Sequence, residues 1–282
     1  MYIFKIQLFG LTIAPTYYGL MYVFGFVFGY ITVKRGLKLS HKKMDDLILY
    51  IFAGVILGGR IGYILFYDLS FYIDNPLNLI KIWEGGMSFH GGAIGVVLAM
   101  YFFAKKYKKS ILNNKLELNP QTSKAFLKLT DEVCRSLPVG LGLGRLGNYL
   151  NKELLGYSPY DGPFAVYINS VGYFPSPLLE AILEGVILFL ILAYFYKKKT
   201  EINSLTNLKI FKPWYYNIIP KNDGQIASLF LVFYAIFRIF VEIFFRAPDP
   251  QIGYIFGFLT MGEILTLPML IVGIYYFIKL NK

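Results

Sequence analysis

One cysteine and two histidines are all that 282 residues offer for thiol and imidazole chemistry. A lone Cys134 excludes an internal disulfide framework, and His41 and His90 compose no recognisable zinc constellation. No metal and no cofactor are expected. Cys134 reads as a small apolar filler of a helix, the usual lot of a buried free cysteine. Charge is also scarce: 16% of the residues are charged and 56% hydrophobic, whereas soluble domains carry about a quarter charged residues. Acids are scarcer than bases, 17 against 28, for a net charge of +11. The N-terminus lacks a basic region followed by a short apolar core and a small-residue cleavage site, so the first apolar run is expected to be retained.

What is abundant is apolar sequence in runs of about 20 residues, the length that spans hydrocarbon as a helix. Seven runs are expected, at about 15–34, 46–67, 88–105, 131–149, 177–196, 224–246 and 257–279. The fourth is short, rich in glycine and interrupted by Pro138. The predicted fold is an all-α integral membrane protein of about seven transmembrane helices. It forms one polytopic domain over residues 1–282, with a small extracytoplasmic head at 150–176.

Lysines set the orientation. Lys34, Lys38, Lys42 and Lys43 follow the first run, Lys105, Lys106, Lys108, Lys109 and Lys115 the third, and Lys197, Lys198, Lys199, Lys209, Lys212 and Lys221 the fifth. Positive loops stay cytoplasmic, which puts the N-terminus outside and the C-terminus inside. The basic excess is therefore a signal of topology and anionic lipid, divided among short loops, and not a nucleic-acid footprint.

Ionisable residues at membrane depth are costly and are read as functional. The fourth run leads outward to Arg145 and Asn148, followed by Asn151, Glu153 and Gly156. The sixth carries Arg238 about 14 residues in, roughly 21 Å up at 1.5 Å per residue. Glu242 and Arg246 follow at i+4 and i+8 on the same face. Arg60 lies in the outer half of the second run, His90 opens the third, Glu180 opens the fifth with Glu184 a turn deeper, Glu263 lies early in the seventh, and Tyr18 opens the first.

Nearly all of these fall in the outer half of the bilayer. A proton or ion path would need polar stepping stones across the full thickness, so a site reached from the outer leaflet fits better. Arg238 and Glu242 could equally serve as a structural pair, and Arg60 as a tie between helices. Four arginines at one depth, with fewer strongly placed acids, favour an anion site.

Three stretches carry the specificity. Gly85-Gly86-Met87-Ser88-Phe89-His90-Gly91-Gly92-Ala93-Ile94-Gly95 places Gly91 and Gly95 on a close-packing face; a histidine at such a helix start serves either as a hydrogen-bonding residue or as a base. Gly144-Arg145-Leu146-Gly147-Asn148, continuing through Asn151, Glu153 and Gly156, groups a guanidinium fork suited to phosphate with amides and a carboxylate. Phe237-Arg238-Ile239-Phe240-Val241-Glu242, continuing to Arg246-Ala247-Pro248-Asp249, is the third.

Together with Tyr17-Tyr18-Gly19, Gly58-Gly59-Arg60-Ile61-Gly62 and Met261-Gly262-Glu263, these stretches resemble the prolipoprotein diacylglyceryl transferase family in order and spacing over nearly the whole chain. One segment departs from it. Where that family usually reads His-Pro-Ser/Thr-Gln-Leu-Tyr-Glu, this chain has Phe174-Pro175-Ser176-Pro177-Leu178-Leu179-Glu180.

The resemblance implies a transferase of the bacterial inner membrane with its active face toward the periplasm or exterior. Such an enzyme moves the diacylglyceryl group of phosphatidylglycerol to the lipobox cysteine of a prolipoprotein, yielding a thioether and glycerol phosphate. His90, Arg145, Arg238 and Glu242 are then the expected catalytic residues. Tyr18, Arg60, Asn148, Asn151, Glu153, Gly156, Arg246 and Glu263 are the expected substrate-binding residues, with Gly156 forming a turn. A transporter for an anionic solute and a non-catalytic phospholipid-binding protein are the alternatives on residue types alone.

Overall fold

In the computed structural model, residues 6–8, 11–14, 16–67, 69–81, 83, 85–113, 121–205, 219–246, 255 and 259–281 are described. Lys5, Lys115, Lys209, Lys212, Lys282 and the Ala247-Pro248-Asp249 end of the third stretch lie outside them. The first described element is an antiparallel hairpin, β1 (Ile6–Leu8) and β2 (Leu11–Ile13), for which the apolar runs give no signal. Long helices follow: α1 (Tyr17–Leu37) and α2 (His41–Tyr67), then the short α3 (Leu69–Asp74) and a 3-10 turn at Pro76–Ile80. Next come α4 (Phe89–Ile111) and α5 (Thr122–Leu150), then a second hairpin, β3 (Val166–Ile168) with β4 (Val171–Tyr173). A continuous helix then runs through α6 (Ser176–Glu180), a π segment (Ala181–Ile187) and α7 (Leu188–Leu205). The chain finishes with α8 (Gln225–Phe245) and α9 (Met261–Asn281).

Each expected run coincides with a helix, but several helices outlast their apolar run. The second begins five residues before the expected 46, at His41, and the fourth at Thr122 instead of about 131. Hydropathy registers only where hydrocarbon-compatible side chains begin. Lysine, methionine, alanine and leucine, which populate 41–45 and 122–130, are good helix formers, so backbone hydrogen bonding continues past that point. Pro138 does not interrupt α5.

Among the described residues five helices are long and apolar enough to cross a membrane: Tyr17–Leu37, His41–Leu65, Ser176–Ile202, Gln225–Phe245 and Gly262–Asn281. The other long helices, α4 and α5, carry Lys105, Lys106, Lys108 and Lys109, and Lys124, Lys128, Asp131, Glu132, Arg135 and Arg145. Apolar side chains face outward throughout: Leu49, Phe52 and Leu57 on α2 and Phe244 on α8 are each more than 60% exposed. Such continuous apolar exposure is foreign to water-soluble monomers.

Residues 1–32 with 131–282 form one compact unit, and 33–130 another. In the second unit α2 and α4 are held by glycines at four-residue spacing. A Cβ built on Gly58 would stand 2.8 Å from the Gly95 Cα, and one on Gly62 2.6 Å from the Gly91 Cα. Backbone therefore lies against backbone, and the expected Gly91/Gly95 face is in use. Ser88 caps α4, its Oγ accepting from the Gly91 N–H at 3.3 Å.

In the first unit α8 and α9 run antiparallel. Asn222, just ahead of α8, donates to the Leu280 carbonyl near the end of α9, while Thr260, just ahead of α9, donates to Glu242 near the end of α8. Leu188, Leu192, Ile226, Leu229 and Phe230 make the apolar core between α7 and α8. Close approach of Gly142 to Gly185 seats the π segment on α5.

Candidate active site

The first unit has a polar centre at each end and an apolar middle. One lies at the start of its α5 portion, where Lys199 Nζ bridges Asp131 Oδ2 at 2.8 Å and Asp223 Oδ1 at 3.0 Å. Asp131 also accepts from the Ala227 backbone N–H at 2.9 Å, so this network is closed and tied to the first turn of α8. The other is about 14 residues further along α5, where the ends of α5, α6, α8 and α9 meet.

At that second centre three guanidinium groups converge on Glu180, whose carboxylate is wholly buried. Glu180 Oε2 is 2.7 Å from Arg145 Nε and accepts from Arg238 Nη1 at 2.8 Å, while Oε1 accepts from Arg246 Nη1 at 3.1 Å. Glu242 takes the remaining contacts on α8: Arg238 Nη2 at 2.5 Å, Arg246 Nε at 3.7 Å, and the Thr260 hydroxyl at 3.3 Å. Glu184 stands slightly further off, 3.6 Å from Arg145 and 3.8 Å from Arg238. The i, i+4, i+8 reading of Arg238, Glu242 and Arg246 is thus realised as direct contact.

The expected shortage of acids is corrected here. Three carboxylates, those of Glu180, Glu184 and Glu242, face three guanidinium groups. A partly buried arginine in low dielectric needs a nearby counter-charge, and the fifth apolar run supplies it in Glu180. The spacing of four between Glu180 and Glu184 is the sequence signal that they share one face.

Around this node the segment 147–153 folds tightly. Asn148, buried, donates from Nδ2 to Glu153 Oε2 at 3.1 Å, and Asn151 Nδ2 approaches Glu153 Oε1 at 3.4 Å. The backbone closes the turn, with the Glu153 N–H on the Asn148 carbonyl at 2.9 Å. Tyr18 lays its ring against Gly147, where any side chain would collide, and shares a hydroxyl hydrogen bond of 2.8 Å with Tyr22. Tyr22 lies in the electrostatic field of both Arg145 and Glu153.

Glu263 has a defined local duty. Its carboxylate accepts from the Thr260 N–H at 2.7 Å while the Thr260 hydroxyl accepts from the Glu263 N–H at 3.2 Å, a reciprocal cap on α9. That cap also presents the Thr260 hydroxyl to Glu242. Gly156 forms no turn; it pairs antiparallel with Arg246, and a side chain there would strike the Phe245 carbonyl and the Phe174 ring. Its missing Cβ lets the segment after α5 lie directly on the end of α8.

The departure at Phe174 has a structural consequence. Its ring stacks between Tyr157 (centroids 5.2 Å, planes 16° apart) and Phe245 (4.9 Å, 27°), with Tyr160 edge-on at 5.0 Å. Backbone hydrogen bonds Gly156 N to Phe174 O at 2.8 Å and Phe174 N to Tyr157 O at 2.9 Å fix the same strand pair. The hairpin β3–β4 above it turns through Asn169 and Ser170, both at positive φ, the geometry of a tight two-residue hairpin.

Arg60 and His90 belong to the other unit. Arg60 is 5% exposed and gives all five of its N–H donors to backbone carbonyls. Nε donates to Leu79, Nη1 to Gly85 and Gly86, and Nη2 to Asn78 and Lys81, at 2.5–3.3 Å. Gly85 and Gly86 both sit at positive φ, which turns their carbonyls toward it. The Tyr72 ring lies 5.1 Å away. His90 is the second residue of α4, and its side chain lies outside those described.

This arrangement places a cluster of guanidinium groups, chemically suited to an anion such as phosphate, beside an ordered amide–carboxylate turn. The comparisons with known proteins identify the family. The family profile described as prolipoprotein diacylglyceryl transferase matches residues 4–279. The chain belongs to that family. A phosphatidylglycerol–prolipoprotein diacylglyceryl transferase of Rickettsia bellii (strain OSU 85-389) is 40% identical over 274 residues, 95% of this chain and 91% of its own. Proteins of the same name from Pasteurella multocida (strain Pm70) and Legionella pneumophila (strain Corby) are 42% identical over 266 residues and 41% over 268. The first covers 91% of this chain and 84% of its own, and the second 92% and 90%. Family membership thus spans both units and every motif above.

Proposed function

We propose that this protein transfers the diacylglyceryl group of phosphatidylglycerol to the lipobox cysteine of prolipoproteins, the first step of bacterial lipoprotein maturation. The observation that carries the chemistry is the convergence of Arg145, Arg238 and Arg246 beside Asn148 and Glu153. The precursor's sulfur attacks the terminal glyceryl carbon of the lipid; an S–C bond forms and the C–O bond to phosphate breaks. The bonding pair leaves on the phosphate oxygen and the thiol proton passes to His90, so that thioether and glycerol phosphate are the products. The sulfur comes from the precursor, in keeping with Cys134 lying some 11 residues, or three turns of α5, from Arg145.

In this reading Arg145 and Arg238 grip the phosphate and stabilise the charge that develops as its ester bond breaks. Asn148, Asn151, Glu153 and Tyr18 orient the head group, Glu242 positions Arg238, and Arg246 completes the field. Glu263 and Gly156 act through the structure they build, the first by fixing Thr260 against Glu242, the second by seating the outer segment on α8. Arg60 shapes the 78–86 loop that leads into α4, and His90 takes the thiol proton, since a thiol with a pKa near roughly 8.5 must become a thiolate to attack.

All seven long helices cross the bacterial inner membrane in this reading, N-terminus outside. Residues 150–176 form an external head over the arginine node, and the two units act as a single polytopic domain. The test is product analysis: purified protein, phosphatidylglycerol and a lipobox peptide yield a peptide carrying the diacylglyceryl mass on cysteine, with equimolar glycerol phosphate. Lipid binding without release of glycerol phosphate, or anion uptake into vesicles without lipid consumption, would replace this function by one of the alternatives.

A further inference from the structure

Glu184 has no part in the scheme above, yet it is the least satisfied group in the molecule's main polar centre. It lies on the π segment one turn beyond Glu180 and is wholly buried. Neither of its carboxylate oxygens meets a hydrogen-bond donor among the described residues. Arg145 Nε and Arg238 Nη1 stop at 3.6 Å and 3.8 Å, because both make their short contacts with Glu180 instead. The titratable and charged groups facing Glu184 are Glu180 from α6, Arg145 from α5, and Tyr234, Arg238 and Arg246 from α8. Glu180, four residues back on the same face, adds a like charge.

A buried carboxylate left without hydrogen bonds is among the costlier arrangements a protein can hold, and such a group usually resolves the cost by taking up a proton. The net charge of the node depends on that proton. With Glu180 and Glu242 ionised and Glu184 neutral, the three guanidinium groups leave one positive charge over. A phosphodiester carries one negative charge. With Glu184 ionised nothing is left over, and the field that draws the anion is lost.

We propose that Glu184 is a positioning residue that carries a proton in the substrate-free enzyme, so that the arginine node keeps one net positive charge for the phosphodiester of the lipid. The identity of that anion rests on the proposed transfer reaction; the proton on Glu184 does not.

Glu184→Gln imitates the neutral acid. At neutral pH its KM for phosphatidylglycerol stays within about twofold of the wild type, with kcat retained. In the wild type KM rises in alkali, by up to about tenfold per pH unit once the proton is gone; in Glu184→Gln that rise is missing, while Glu184→Asp, which still titrates, keeps it. A residue of purely structural importance would leave the two pH profiles parallel. Infrared spectroscopy of the lipid-free protein gives an independent reading: the carbonyl band of a protonated carboxyl group is present in the wild type and missing in Glu184→Gln.

Parallel profiles, or an unchanged band, overturn the proposal. Should Glu184→Gln fail to fold, the same band in the wild type must bleach in alkali together with loss of phosphatidylglycerol binding, and a band that persists while binding is lost overturns it as well. If the wild type shows no transfer at all, the proposed function fails, and the infrared band still decides the state of Glu184.

Discussion

Each charged residue in the first unit's arginine node has an opposite charge within 3.1 Å, except Glu184, whose guanidinium neighbours stand at 3.6 and 3.8 Å. The Arg238–Glu242 pair was legible from spacing on one helix, because i and i+4 side chains meet on a helical face. The convergence of Arg145, Arg238 and Arg246 on Glu180 was not, since the contact joins three helices whose relative rotation no sequence pattern specifies. Arg60 illustrates the opposite case. Its depth in an apolar run marked it as a substrate ligand, yet five backbone carbonyls of the 78–86 loop saturate it. That outcome depends on the positive φ of Gly85 and Gly86. His90→Gln tests the remaining chemical assignment at this scale: turnover with phosphatidylglycerol and a lipobox peptide falls by about 10²-fold or more if His90 is the base. Turnover near the wild-type value removes it from that role.

At the scale of elements, glycine positions and an aromatic stack carry the structure. The α2–α4 contact is backbone against backbone, so Gly58→Val forces the helices apart. Overpacking of this kind costs about 1–3 kcal/mol or more, and the variant's thermal midpoint in detergent falls accordingly. A midpoint equal to that of the wild type would mean the helices are not so close. The seven long helices were legible because their apolar runs reach membrane length, whereas the short α3 carries no such run, and helix ends were not legible because charged helix formers extend them beyond the apolar stretch. The hairpins were illegible for a different reason: three-residue strands leave no room for a period-two pattern.

Phe174 belongs to this scale too, as it clamps the hairpin segment to the end of α8. Phe174→Ala removes two stacked contacts, each worth about 0.5–1.5 kcal/mol. Its expected effect is a lower thermal midpoint together with a raised KM for the lipid, as Gly156 and Arg246 lose their mutual support. Unchanged KM with a lowered midpoint would confine Phe174 to stability.

Over the whole molecule the usual distribution of polarity is inverted, with apolar side chains outward and paired charges within. The proposed orientation follows from where the lysines fall, and it separates the two polar centres of the first unit. In that proposed orientation the arginine node and the β3–β4 hairpin lie outside, and the Lys199–Asp131–Asp223 network lies on the cytoplasmic side. In a Cys134→Ser background, Tyr167→Cys on the exposed hairpin is expected to react with a membrane-impermeant thiol reagent in intact spheroplasts. Lys198→Cys is expected to react only after the membrane is opened. The reverse pattern would invert the topology and leave the guanidinium groups with no access to a secreted precursor.

The most direct measurement is transfer of mass-labelled diacylglycerol from phosphatidylglycerol to a lipobox peptide by Arg145→Ala and by Arg238→Ala, each verified as folded by its thermal transition. A lost electrostatic contact to a developing charge costs about 10²–10³ in rate, and both variants are expected to fall at least that far. Wild-type transfer by either one would contradict the account, because the phosphate would then be held by something other than the arginines gathered on Glu180.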